Sequence, residues 1–120
     1  MEEKNLRILI TGGAGFFGIN VIRHLLKKGF RSLTSLDIAA FDYPEKKDIT
    51  VVTGDIRDRE TVDRLVSQAD VVIHAAAALP RCTVEEIRST DVGGTRHLLE
   101  AGMRHETKRF VFISSTAVYG

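Results

Sequence analysis

The chain has 120 residues, which is enough for one domain with its own core and too few for two. Its 17 Lys and Arg residues nearly balance its 16 Asp and Glu residues, so no basic surface for nucleic acid or an anionic membrane is expected. The single cysteine, Cys82, excludes an intrachain disulfide and a cysteine-based zinc site. No apolar run approaches the ~20 residues of a membrane helix, and no signal core follows Met1. We therefore expect a cytoplasmic protein with no membrane segment and no metal.

The first half of the chain alternates short apolar runs with an amphipathic segment. Residues 6–10 predict a strand, and residues 16–28 predict a helix with one apolar stripe that ends before Gly29. Residues 33–37 and 50–53 predict the second and third strands, separated by a loop that includes Pro44.

The second half repeats the alternation. Asp58 is a typical N-cap for the charged amphipathic segment that runs through Ser67. Residues 70–74 predict a fourth strand, apolar on both faces. Residues 83–86 have the Thr-x-x-Glu form of a capping box, which predicts a long helix towards His105, and residues 109–114 predict a fifth strand. Strands alternating with helices indicate βαβ units and a parallel sheet covered on both faces.

The strongest local motif lies between the first strand and the first helix. Gly12, Gly15 and Gly18 form a G-x-x-G-x-x-G pattern, which suits a tight turn, close approach of a pyrophosphate, and helix–strand packing in that order. The amides at the helix N-terminus, around Phe16 and Phe17, would bind the negative charge. Glycines also serve turns alone, but the strand-to-helix context favours dinucleotide binding.

Asp37 ends the second strand about twenty residues beyond the last glycine, where the dinucleotide fingerprint places an acid. Its carboxylate would accept hydrogen bonds from an adenosine ribose and repel a 2′-phosphate. The cofactor is therefore expected to be NAD rather than NADP. The alternative is an ordinary turn aspartate.

Five blocks in order resemble the extended short-chain dehydrogenase/reductases, a family that includes NAD-dependent sugar-nucleotide epimerases and dehydratases. The blocks are the glycine motif, Asp37, residues 54–58 (Gly-Asp-Ile-Arg-Asp), residues 74–77 (His-Ala-Ala-Ala) and residues 112–120 (Phe-Ile-Ser-Ser-Thr-Ala-Val-Tyr-Gly). The resemblance covers the whole chain but only the N-terminal part of that family's fold. Together the blocks are far more specific than the glycines alone.

The resemblance implies further contacts with the cofactor. Asp55 would contact adenine beside the Ile56 backbone, although Asp55 also suits the turn before Asp58. Small residues after the fourth strand would bring backbone against the cofactor, or simply pack closely; they are Ala75, Ala76 and Ala77. Thr90 would touch the cofactor, next to an Asp91 that replaces the family's asparagine. His74 is predicted to be a satisfied polar residue at a strand end rather than a catalytic base.

Ser115 aligns with the family's catalytic Ser/Thr and would hold the reacting hydroxyl or carbonyl. Tyr119 does not align with the family's general base, which lies in a later Tyr-x-x-x-Lys motif, and no lysine follows Lys108 here. The 120-residue chain is therefore expected to bind cofactor without turning over a substrate.

These patterns predict a three-layer α/β Rossmann-like sandwich with parallel strands in the order 3-2-1-4-5. Residues 1–120 would form one NAD(P)-binding domain, truncated after the fifth strand and lacking the substrate domain. The full enzyme would transfer a hydride between NAD and a nucleotide-sugar or another small hydroxylated substrate, and a homodimer is one state the resemblance allows. Two alternatives remain open: a non-catalytic dinucleotide-binding module, and a steroid-dehydrogenase-like or aldehyde-reductase-like NAD(P)-dependent reductase.

Overall fold

A computed structural model describes residues 3–75, 85 and 89–113 of the chain. Its regular strands are β1 (Arg7–Thr11), β2 (Ser32–Asp37), β3 (Thr50–Thr53), β4 (Val71–His74) and β5 (Arg109–Phe112). Its α-helices are α1 (Phe16–Lys27), α2 (Arg59–Ser67) and α3 (Thr95–Arg104). Short 3₁₀ segments cover Glu3–Asn5 and Pro44–Asp48, and a π-helical segment covers Ser89–Gly94.

The strands form one parallel sheet in the order β3-β2-β1-β4-β5. This order confirms the predicted Rossmann-like topology. In the sheet, β2 and β3 lie on one side of β1, and β4 and β5 lie on the other. The carboxyl ends of β1 and β4 therefore flank the point where the strand order reverses, which is where open α/β sheets bind ligands.

Two apolar cores cover the two faces of the sheet. On one face Ile19 and Ile22 of α1 pack with Ile8 and Ile10 of β1. On the other face α2 and α3 pack against β1, β2 and β4 through side chains that include Leu9, Leu36, Val62, Val72 and Leu98. Residues 8–11 are all buried because β1 is covered on both sides, as its unbroken apolar run predicts.

Local signals at the helix ends agree with the structure. Asp58 caps α2, with its carboxylate accepting the N–H groups of Glu60 at 3.2 Å and Thr61 at 3.4 Å. Gly29 adopts a φ of 97° just after α1, a left-handed conformation that glycine reaches without strain. Both positions had been predicted from the residue types alone.

Two predicted elements differ from the structure. The last strand ends at Phe112 rather than residue 114, and the long helix towards His105 is not one α-helix. The π-helical segment Ser89–Gly94 precedes α3, and its Gly93-Gly94 pair has low α-helix propensity. Of the predicted capping box at residues 83–86, only Glu85 lies within the described residues, and it is helical.

The stretch predicted as a loop between β2 and β3 is partly ordered by packing. Phe41 is only 3% exposed and belongs to the core on the α1 face. Pro44 begins the short 3₁₀ segment that leads into β3. This stretch is therefore anchored beside the carboxyl end of β2.

Candidate functional site

Backbone hydrogen bonds join the loops that follow the first four strands. The N–H of Gly12 donates to Leu36 O at 2.8 Å, and that of Gly54 donates to Asp37 O at 2.9 Å. The N–H of Ala75 donates to Thr11 O at 3.1 Å. The structure thus brings the glycine loop, Asp37, the Gly54-Asp55 turn and Ala75 to one edge of the sheet.

The glycines of the loop have different reasons to lack a side chain. Gly12 has a φ of 76°, which the tight turn requires. A Cβ on Gly18 would lie 2.7 Å from Gly13 Cα, so α1 could not pack against the loop. A Cβ on Gly15 would meet only Gly12 O, at an ordinary 3.4 Å, and its backbone is extended. The predicted turn and packing roles are confirmed for Gly12 and Gly18, and Gly15 is the position where a side chain fits the fold itself.

The N-terminus of α1 opens beside Gly15. Helix amides in the first turn have no partner within the helix, and in the described part of the chain no side chain caps them. The first turn carries no acidic residue, and the rings of Phe16 and Phe17 are exposed. The helix dipole and these amides together favour an anion at this point.

Asp37 lies against the glycine loop. One carboxylate oxygen accepts the N–H of Ala14 at 3.0 Å, and the other accepts the N–H of Ala39 at 3.0 Å. Each oxygen has a second lone pair, so the carboxylate can still accept hydrogen bonds from ligand hydroxyls. The predicted position of Asp37 at the end of β2 is confirmed, and the contact with a ribose stays a prediction.

Asp55, the predicted adenine contact, is engaged by its neighbour Arg57. The guanidinium donates from Nε at 2.9 Å and from Nη2 at 2.6 Å to one carboxylate oxygen, and the Arg57 N–H donates to the other at 2.9 Å. This side-chain hydrogen bond holds the pKa of the Asp55 carboxyl below its usual value. The lowered pKa favours the ionised carboxylate, and the contact with adenine stays a prediction.

Ile56 follows with a buried side chain and an engaged carbonyl. His97 Nδ1, on α3, lies 3.4 Å from Ile56 O. A Cβ on Gly94 would lie 2.5 Å from Ile56 Cγ1. Close packing against Ile56 thus explains the glycine in this helical stretch.

His74 is 2% exposed at the end of β4, and both ring nitrogens have partners. Nδ1 lies 2.6 Å from the Thr11 hydroxyl, and Nε2 lies 2.8 Å from the Thr95 hydroxyl. The ring also packs against Phe112 with a centroid distance of 5.5 Å. The prediction of a satisfied structural histidine is confirmed.

Several predicted site residues are only partly described. The N–H of Ala75 donates to the backbone and hydroxyl oxygens of Thr11, both at 3.1 Å. Thr90 lies in the π-helical segment that precedes α3. The remaining predicted residues, Ala76, Ala77 and Ser115, lie outside the described residues.

Two residues that shape the glycine loop, Gly13 and Tyr43, were not predicted from the sequence. A Cβ on Gly13 would lie 2.7 Å from Ser35 Cβ, so this glycine is needed for contact between the loop and β2. The Tyr43 hydroxyl donates to Ala14 O at 3.1 Å. An aromatic residue in a polar stretch before Pro44 was the available signal for Tyr43, but its partner is twenty-nine residues away in sequence.

Within residues 3–75, 85 and 89–113 no group of three His, Cys, Asp or Glu side chains is arranged to hold a metal ion. Among the same residues no helix is both long and apolar enough to cross a membrane.

Two curated relatives align with almost all of the chain. The low-salt glycan biosynthesis protein Agl12 of Haloferax volcanii is 40% identical over 128 residues, covering 94% of this chain and 40% of that protein. The 3 beta-hydroxysteroid dehydrogenase/Delta 5-->4-isomerase of Mycobacterium tuberculosis is 37% identical over 120 residues, covering 93% of this chain and 32% of that protein. The chain thus spans two fifths or less of each relative's length.

A solved structure and a family model both match the chain. The crystal structure of the Bordetella bronchiseptica enzyme WbmG in complex with NAD and UDP superposes with a TM-score of 0.82 at 29% identity. That match covers 97% of this chain and 40% of the WbmG chain. The model of the NAD dependent epimerase/dehydratase family matches residues 8–120. The chain therefore belongs to the NAD-dependent epimerase/dehydratase family.

Proposed function

We propose that residues 1–120 form an NAD-binding domain whose ligand lies across the carboxyl ends of β1, β2 and β4. The diphosphate would accept hydrogen bonds from the first amides of α1, at Phe16 and Phe17, where the helix dipole is positive. Gly15 leaves that approach open, and the Asp37 carboxylate beside it would accept from the adenosine ribose. The loop geometry around Gly15 is the single observation that carries the proposal.

The remaining contacts extend along the same edge of the sheet. Asp55 and the Ile56 backbone would contact the adenine, since they follow β3 directly beside Asp37. The alanines after β4, together with Thr90, would border the nicotinamide half; these alanines are Ala75, Ala76 and Ala77. Gly12 and Gly18 would contribute through backbone shape rather than through a direct bond.

Bound NAD would supply a hydride acceptor and donor to the complete enzyme. This chain's own contribution to the chemistry would be Ser115, which would hydrogen-bond the reacting hydroxyl or carbonyl of the substrate. The family resemblance supports that role. Ser115 alone is a poor base near neutral pH, because an unassisted hydroxyl gives up its proton reluctantly.

A nucleotide-sugar is the substrate class we propose for the full enzyme. WbmG was crystallised with UDP as well as NAD, and Agl12 is named for glycan biosynthesis. Association of the full enzyme as a homodimer stays a prediction. The similarity to a hydroxysteroid dehydrogenase supports a second candidate, a steroid-dehydrogenase-like enzyme that oxidises a steroid hydroxyl while NAD accepts the hydride.

Replacement of Gly15 tests cofactor binding without disturbing the fold. The extended backbone and open surroundings of Gly15 accept a side chain, whereas the diphosphate approach would be blocked. We expect Gly15→Ala to weaken NAD binding and Gly15→Val to abolish it in calorimetry, with both proteins folded by circular dichroism. The matched control is Gly102→Ala on α3, where a Cβ would make ordinary contacts at 3.7 Å. Equal NAD affinity for the Gly15→Val protein and the wild type would contradict the proposal.

An activity assay tests whether the general base lies within these 120 residues. We expect NADH absorbance to stay unchanged when the 120-residue chain is mixed with NAD and either nucleotide-sugars or 3β-hydroxysteroids. Loss of a general base typically costs a factor of about 10² to 10⁴. Turnover with either class would place the base within these residues and would identify the substrate class at once.

A further inference from the structure

We infer that Tyr43 is a positioning residue for the glycine loop, and that it sets affinity for the diphosphate of the ligand. The inference rests on the proposed function and deepens it. Tyr43 lies outside the dinucleotide fingerprint, in the stretch between β2 and β3, yet its hydroxyl reaches the loop at the carboxyl end of β1.

The peptide group between Ala14 and Gly15 is held at both of its ends. Its carbonyl accepts the Tyr43 hydroxyl at 3.1 Å, and its N–H donates to Gly12 O at 3.1 Å. A peptide group is planar, so two such bonds fix the orientation of the whole unit. Gly15 is the N-cap of α1, and its own carbonyl accepts the N–H of Ile19 at 2.9 Å. The Tyr43 bond therefore bears directly on the start of the helix that would receive the diphosphate.

The preceding peptide group is held as well. The N–H of Ala14 donates to Asp37 at 3.0 Å, so the two peptide groups that meet at Ala14 are fixed by two side chains from different elements. Asp37 holds the loop from the end of β2, and Tyr43 holds it from the following stretch. Of the two, only Asp37 is expected to touch the ligand.

Tyr43 is placed by contacts with the core and with α1. Its ring meets the buried Phe41 ring edge-on, with centroids 5.2 Å apart. The Arg23 guanidinium of α1 lies 5.4 Å above the Tyr43 ring, and Arg23 Nε pairs with Glu45 at 3.2 Å. Because Arg23 is about half exposed, this ion pair contributes little, and Phe41 is the main anchor.

A loop held in place before binding loses less conformational freedom when the ligand arrives. Without the Tyr43 hydroxyl, the Ala14–Gly15 peptide keeps its N–H bond to Gly12 O but loses the bond at its carbonyl, so it is held less firmly and a diphosphate must order it on binding. Adenosine carries no phosphate and would contact Asp37 and Asp55 instead. Loss of the hydroxyl should therefore weaken ligands that contain the diphosphate and spare adenosine.

The test is a pair of NMR titrations of the 120-residue chain, with ADP and with adenosine. Tyr43→Phe removes only the hydroxyl and keeps the ring that packs against Phe41. Ser67→Ala is the matched control, because the Ser67 hydroxyl also donates to a backbone carbonyl, Arg64 O at 2.6 Å, at the far end of α2. We expect Tyr43→Phe to weaken ADP about 3- to 10-fold, the equivalent of one net hydrogen bond, and to leave adenosine unchanged.

If Tyr43→Phe weakens the binding of ADP and adenosine equally, Tyr43 has only a structural role. If neither affinity changes, the hydroxyl has no role in binding. Either result overturns the inference. If the wild type binds neither ADP nor NAD, the proposed function fails. The positioning role is then decided by hydrogen exchange of the Gly15 amide, which donates to Gly12. That amide should exchange faster in Tyr43→Phe than in Ser67→Ala, and equal rates would refute the role.

Discussion

Two aspartates each accept a hydrogen bond from a backbone N–H, but in different surroundings. One lies at the amino edge of the sheet, where the parallel strands begin, and the other at the carboxyl edge, where they end. Asp37, at the carboxyl end of β2, accepts the N–H of Ala14 at 3.0 Å. Asp70, just before the amino end of β4, accepts the N–H of Arg7 at 2.9 Å. Each side chain therefore joins its own strand to the backbone at an end of β1.

What surrounds the two carboxylates differs. Asp70 is 6% exposed, and the Arg7 guanidinium donates to both of its oxygens, at 3.3 Å from Nε and 3.2 Å from Nη2. Asp37 is partly exposed, and its second oxygen accepts the backbone N–H of the neighbouring Ala39. Among the described residues, the carboxylate at the amino edge accepts three hydrogen bonds and is buried, whereas the one at the carboxyl edge accepts two and retains acceptor capacity at the surface. The same kind of bond therefore occurs at a buried, ion-paired carboxylate at one edge and at a partly exposed carboxylate at the other.

Removal of Asp70 should give the largest effect on folding. Asp70→Ala removes the charged acceptor of the part-buried hydrogen bond from the Arg7 N–H, and we expect a loss of about 1–3 kcal/mol in the free energy of unfolding. NAD affinity should not change, because Asp70 lies at the edge away from the glycine loop. Urea denaturation and calorimetry measure the two quantities. The control is Asp48→Ala, which removes an exposed acid near the amino end of β3. A large loss of NAD affinity in folded Asp70→Ala would break the distinction between the edges.

Removal of Asp37 should act mainly on the choice of cofactor. Its charge would face the 2′-phosphate of NADP in a partly desolvated site, so the wild type should prefer NAD. We expect Asp37→Ala to reduce the preference for NAD over NADP, chiefly by restoring NADP binding. The loss in free energy of unfolding should be smaller than for Asp70→Ala. Calorimetric titrations with both cofactors decide the point, with Asp48→Ala again as the control. Equal binding of the two cofactors by the wild type would show that Asp37 is wrongly assigned.

Sequence reasoning succeeded where the signal was local or periodic. Five apolar runs predicted five parallel strands, and the order of the strands followed from the glycine motif and the family resemblance. Asp58 and Gly29 were assigned correctly because capping depends on residues only a few positions apart. Gly12 was also assigned correctly, because its turn needs a positive φ, which glycine adopts without strain.

Contacts between residues far apart in sequence could not be predicted in this way. Tyr43 reaches Ala14 only because the sheet brings the ends of β1 and β2 together. The Arg7–Asp70 pair depends on the pairing of β1 with β4. The π-helical segment was missed because its pattern of side chains resembles that of an α-helix, and the close approach of Gly94 to Ile56 appears only in the packed structure.

The smallest predicted effect is a pH dependence that arises at the amino edge. The side-chain hydrogen bond from Arg7, followed by the Arg7 backbone bond, lowers the pKa of the Asp70 carboxyl. An unfolded aspartate titrates near a pKa of about 3.9, so the folded state binds the proton less readily than the unfolded state. The resulting stabilisation is fully present above that value and is lost as the pH falls through the lower pKa of the folded protein.

We therefore expect the free energy of unfolding to fall with decreasing pH below about 4, and to fall less steeply in Asp70→Asn than in the wild type. The asparagine keeps the shape and one acceptor oxygen but cannot ionise. Other carboxyls with lowered pKa values add to the slope in both proteins, among them those of Asp58 and Asp63. The difference between the two urea-denaturation series isolates Asp70, and the matched control is Asp48→Asn. Parallel slopes for wild type and Asp70→Asn would mean that Arg7 holds Asp70 no more tightly than solvent does, and the contrast between the two edges would then rest on Asp37 alone.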